Sequence, residues 1–169
     1  MIDPDAPADG PGHRQSNGQP VKRRRSIQTV TRAPEIIWLD HQNQIESEEL
    51  VDRAGKYDVA TNTLYLNGLY DAVQNKIAKL EAQYAQQIDW DSVRGLVIQR
   101  VRSEMALHIG SVVVYALAKQ GRPAWTDADW KAAVSPQSLT VAADESDYLL
   151  AEIRRALKNM DAFKAAQVV

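Results

Sequence analysis

A mainly α fold, a helical domain with a small N-terminal β ribbon behind a disordered arm, is predicted by three features of the 169-residue sequence. Two long segments, from Leu69 and from Trp90, repeat apolar residues at helical spacing. One short run, Glu35-Ile36-Ile37-Trp38-Leu39, is β-branched and aromatic behind a proline, a composition that favours a strand. The first 34 residues hold five of the seven prolines together with Gly10, Gly12 and Gly18 and almost no large apolar side chains. Such a segment buries too little surface to offset its backbone entropy. Residues 1–34 are therefore read as a disordered basic arm, and 35–169 as a single mainly helical domain.

Each element has its own warrant. Ser47-Glu48-Glu49-Leu50-Val51-Asp52-Arg53-Ala54 opens with a capping serine and early glutamates, which predicts a short helix ended by Gly55. Tyr57 precedes a polar interval, Asp58 to Asn62, and then Thr63-Leu64-Tyr65-Leu66-Asn67 alternates as a strand closed by Gly68. Pairing with Ile36–Leu39 makes the ribbon. Leu69, Val73, Ile77, Leu80 and Tyr84 share one helical face that needs a neighbour. That neighbour is the helix from about Trp90 to Lys119, opened by Asp89 and closed by Gly121. Its half from Met105 to Ala118 is apolar on nearly all sides, so it is expected to be buried all round at the centre of the fold. Thr126 and Ser135-Pro136 are helix-opening signals, and Leu149, Ile153, Ala156 and Met160 form a final stripe widened by Leu150 and Leu157. The pattern weakens at Ala143-Asp144-Glu145-Ser146, where a break is expected.

The totals exclude several functions. With 20 basic against 22 acidic residues the charge of −2 points to neither nucleic acid nor an anionic membrane, although Met1–Pro34 carries +3 and the remainder −5. No cysteine is present, which removes disulfides, thiolate metal sites and cysteine nucleophiles together. The longest apolar run, Val112 to Ala118, falls far short of the roughly 20 residues that cross a bilayer. No secretory pattern opens the chain, so no membrane role and a cytoplasmic location are expected.

No catalytic, cofactor-binding or metal-ligating residue is assigned. The glycines of the folded part stand singly, unlike a phosphate-binding loop. His13, His41 and His108 are too dispersed to suggest a metal site. His108, inside the apolar helix, reads as a buried histidine bonded to a neighbour, and no spacing gives it a catalytic partner. Asp127, Asp129, Asp144, Glu145 and Asp147 lie beside helix starts, where capping accounts for them. Lys22, Arg23, Arg24 and Arg25 form the one dense basic cluster, a candidate for phosphate-backbone contact that Arg94, Arg100 and Arg102 could extend. Trp125 and Trp130, five apart, do not share a helix face: one is expected in the core and the other is a candidate anchor for a partner.

Three stretches taken in order resemble the C-terminal region of bacterial ATP-binding proteins of the GHKL superfamily, the histidine-kinase-like and heat-shock-chaperone-like ATPases. They are Pro34–Leu39 with Leu50–Tyr57, then Asn62–Asn67, and later Ser135–Thr140 before a helix holding Ile153-Arg154-Arg155. The Asn-bearing helix and Asp-x-Gly-x-Gly turn of the family's ATP-binding domain have no counterpart. The resemblance implies an accessory part without its motor, and no ATP-binding residue carries over. The expected function is thus protein–protein interaction or oligomerisation, by self-association or with a partner such as an ATPase. Nucleic-acid binding through the arm is the alternative, and an enzyme is the least supported reading.

Overall fold

The computed structural model describes residues 32–167, and the basic cluster Lys22–Arg25 lies outside them. Among the described residues three strands and seven helices run in the order β1 (Glu35–Leu39), α1 (Gln42–Ser47), β2 (Gly55–Asp58), β3 (Thr63–Asn67), α2 (Asp71–Tyr84), α3 (Trp90–Lys119), α4 (Asp127–Ala133), α5 (Pro136–Asp144), α6 (Leu149–Asn159) and α7 (Asp161–Ala165). The mainly helical class and the small N-terminal sheet agree with the sequence reading.

The sheet has the order β1-β3-β2. β1 lies parallel to β3, with Ile36 beside Leu64 and Trp38 beside Leu66, and β2 is antiparallel to β3. Pleating sends alternate residues to opposite faces. Leu64 and Leu66 therefore point into the main core, while Leu39 joins Ile45 and Leu50 in a second small cluster against Tyr65.

Two expectations fail here. The strand β2 was not foreseen: only Gly55 and Tyr57 of its four residues are buried, too short an alternation to register. The helix expected over Ser47–Ala54 is displaced to Gln42–Ser47, and Ser47 ends it by donating its hydroxyl to Gln44 O at 2.8 Å instead of capping a start. Glu49 then takes φ 60°, which no helix tolerates.

The long helix α3 carries Val93, Val97, Val101, Met105, Ile109, Val113 and Ala116 on its buried side. Their spacing of four, closing on three, is one helical ridge. α2 packs against it through Val73, Ile77, Leu80 and Tyr84, and α6 through Leu149, Ile153 and Leu157. Leu69, expected on the α2 stripe, precedes the helix and is exposed. By length and composition alone α3 is long and apolar enough to cross a membrane, but its apolar ridge is the core to which the sheet and the other helices are fitted.

Burial of the Met105–Ala118 half is one-sided, contrary to expectation. Leu107 is 71% exposed, and Val114 and Tyr115 are also exposed. The short partner helices cover one side of a 30-residue rod and leave the other to solvent.

The later helix starts are the ones predicted. Thr126 Oγ1 accepts from Asp129 N at 3.1 Å while Asp129 Oδ2 accepts from Thr126 N at 2.9 Å, a reciprocal capping box. The bonds that Thr126 N and the Thr126 hydroxyl donate to Asp129 Oδ2 hold that carboxyl below its ordinary value. Ser135 caps α5 with Pro136 behind it, and the chain breaks between Asp144 and Leu149. Thr126→Ala is expected to cost about 1 kcal/mol in urea unfolding, the usual loss for such a cap.

Candidate groove between the edge strand and the long helix

Among the described residues an open, mainly apolar groove of about 710 Å³ lies between β1 and the Gly95–Leu107 stretch of α3. Ile36 and Trp38 supply one wall and Ile98, Ala106 and Leu107 the other. The strand's alternation puts both β1 residues on the α3 side, and the helical repeat brings Ile98, Arg102 and Ala106 to one face. Neither segment shows a groove alone.

The groove's polar end is a fixed charge pair. Arg102 donates through Nη1 to Asp40 Oδ2 at 3.1 Å and through Nη2 to Asp40 Oδ1, and its guanidinium lies 5.2 Å from the Trp38 ring centre. This two-pronged pair and the cation–π contact hold the end of β1 against α3. Gly68 makes it possible, because a Cβ there would run into the Asp40 carboxylate and lie 2.9 Å from Arg102 Nη2.

Among the described residues the outer edge of β1 is unpaired. Glu35 N donates to Asn62 O at 3.0 Å and Leu39 O accepts from Gly68 N at 2.8 Å. In a parallel ladder alternate residues face the partner strand, so Glu35, Ile37 and Leu39 bond to β3. Ile36 and Trp38 turn their N–H and C=O outward, and among the described residues nothing bonds to them. Native sheets usually blunt an edge with a charge, a proline or a bulge. Between Ile36 and Leu39 there is none.

Other chemistry-bearing side chains are already engaged. Nε2 of His108 contacts Ala142 O and Nδ1 contacts Tyr148 Oη, each at 2.9 Å. A carbonyl only accepts, so Nε2 carries a proton and donates to Ala142 O. The bonding matches the expectation, but the ring is half-buried rather than buried.

A feature the sequence did not reveal is Lys76, whose Nζ donates to Ser146 Oγ at 2.7 Å. A serine beside a lysine has the makings of an activated nucleophile. Ser146, however, has no exposed surface, and its hydroxyl is spent on Ala143 O in the α5–α6 connection. Burial lowers the Lys76 pKa, against the attraction of Asp147. Among the described residues no group of three His, Cys, Asp or Glu side chains could hold a metal ion.

Trp130 is buried in the main core, as one of the two tryptophans was expected to be, and Trp125 is partly buried edge-on to Tyr115 with ring centres 6.0 Å apart. Neither belongs to the groove. Arg100 is paired with Glu104 at 2.5 Å and Arg102 with Asp40, while Arg94 makes no ion pair among the described residues.

The fold and site define a small helical domain with a mixed three-stranded sheet, whose β1 edge is unpaired among the described residues, and an apolar groove beside that edge. No protein-family model, curated protein or solved structure matches the chain.

Proposed function

We propose that this chain is a non-catalytic, cytoplasmic association domain that docks a protein segment at the β1–α3 groove. The observation that carries the reading is the adjacency of unpaired main-chain groups at Ile36 and Trp38 to an apolar trough. An added strand takes its affinity from such an edge and its specificity from the side-chain pockets alongside. The sequence resemblance adds a partner class, an ATPase on another chain. The nucleic-acid alternative rests on Lys22–Arg25, since two of the three α3 arginines are neutralised by carboxylates.

A photo-cross-linking residue placed at Leu107 in the native cell is expected to yield adducts of protein mass. The same residue at Val141, exposed on α5, is the control. If Leu107 gives no more protein adduct than Val141, the reading is wrong.

A further inference from the structure

We infer that the groove's partner is a second copy of this chain, added antiparallel across β1 so that the two sheets join into one of six strands. This rests on the association reading above and specifies it. The groups already on the page select the pairing. In an antiparallel ladder a hydrogen-bonded pair exchanges both N–H···O bonds between directly opposed residues. Ile36 and Trp38 are the β1 residues whose main-chain groups face outward. A two-fold axis through Ile37 sets Ile36 of one copy against Trp38 of the other, twice, and makes four bonds from the free groups. Shifting the axis by one residue towards the N-terminus sets Pro34, which has no N–H, against Trp38 and loses a donor on each side.

The side chains agree with that register. Opposed residues share a face, so Ile36 and Trp38 of the second copy lie beside Trp38 and Ile36 of the first and cover the groove. Ile37, 37% exposed, meets Ile37 of the second copy on the other face. Glu35 falls opposite Leu39, so no like charges are opposed. The segment enters with Arg32 and leaves with Asp40. Reversal places Arg32 diagonal to Asp40 of the second copy, within reach of a long side chain.

Surface area sets the strength. The exposed parts of Ile36 and Leu107 on the groove side and of Ile37 on the other face amount together to roughly 300 Å² of apolar surface per copy, split between the two faces of the sheet. A standard stable interface takes about 800 Å² from each partner. The dimer is therefore weak and concentration-dependent, with Kd on the order of 10–100 µM.

Sedimentation equilibrium of the full chain should show mass rising from 18.8 kDa towards twice that value across this range. The axis position makes Ile37 diagnostic. Ile37→Glu and Ile37→Lys, each alone, should stay monomeric, because each opposes like charges, and mixing the two should restore a dimer. Because the chain has no cysteine of its own, Ile37→Cys should be linked to its counterpart by oxidised glutathione. Non-hydrogen-bonded antiparallel pairs have Cα atoms about 4.5 Å apart, within disulfide range. Val59→Cys, exposed beyond β2, should stay unlinked. If a charged variant fails to fold, the cysteine result decides.

A monomer throughout the range overturns the inference, as does a dimer that tolerates both single charges or fails to link at residue 37. Should the chain stay monomeric while the Leu107 probe attaches to a different protein, the dimer is wrong and the association reading stands. No protein adduct at Leu107 removes both.

Discussion

Asn67→Ala is expected to lower the free energy of unfolding by about 2 kcal/mol, because one buried and two part-buried hydrogen bonds to the main chain are lost at once. Asn67, 3% exposed, closes β3. Its Nδ2 donates to Leu50 O at 2.9 Å and Arg53 O at 3.2 Å, and its Oδ1 accepts from Leu69 N at 2.9 Å. One side chain thereby joins the loop before β2 to the entry of α2. The next residue, Gly68, donates to Leu39 O and fixes the end of β1, so the damage should reach the groove. Urea unfolding should show a lower midpoint at an unchanged slope. Asn67→Asp keeps an acceptor for Leu69 N but turns a carboxylate towards two carbonyl oxygens, and should do no better. A loss below about 1 kcal/mol for Asn67→Ala would mean that water satisfies these groups equally well.

What the sequence disclosed was local chemistry. Thr126 with Asp129, and Ser135 with Pro136, mark helix starts because the residues that satisfy the free amides lie within three positions of them. Ser47 misled because a serine hydroxyl donates backward at the end of a helix as readily as its oxygen accepts at the start. The hairpin between β2 and β3 did leave a signal. Asp58 accepts from Ala60 N and from the Thr61 hydroxyl, each at 2.9 Å, an Asp-initiated turn inside the stretch read as a polar interval.

Apolarity was visible along Met105–Ala118, but how many sides are covered depends on the neighbours, and they leave Leu107 largely exposed. The groove was illegible for a related reason. Ile36 and Trp38 lie about 70 positions before Leu107 in sequence and meet it only because β1 pairs in parallel with β3 and α3 crosses the same face of the sheet. Trp125 and Trp130 attracted notice by size alone, and size does not separate a core residue from an anchor.

Lys76→Met is expected to stabilise the fold by about 2 kcal/mol at neutral pH, since an apolar side chain of similar length relieves the cost of a buried ammonium. Lys76 is 2% exposed, and the nearest opposite charge, Asp147 Oδ1, stands 4.0 Å away on an exposed side chain. Burial lowers the lysine's pKa in the folded protein beneath the ordinary 10.5. The unfolded chain then binds the proton more readily than the folded one. The wild-type deficit is full below the folded-state pKa and fades as pH rises from there to 10.5, so the variant's advantage should shrink over that interval. Tyr57 and Tyr70 titrate nearby, the latter pushed up to about 12 by burial and its bond to Asp144. Both are present in either protein and cancel in the difference. Ser146 keeps Ala143 O as its acceptor, so the substitution leaves unmet only the lone pair that Lys76 had bonded. A variant less stable than wild type by the same amount at every pH would show instead that the Lys76–Ser146 bond outweighs the desolvation, and that the α5–α6 connection depends on the lysine.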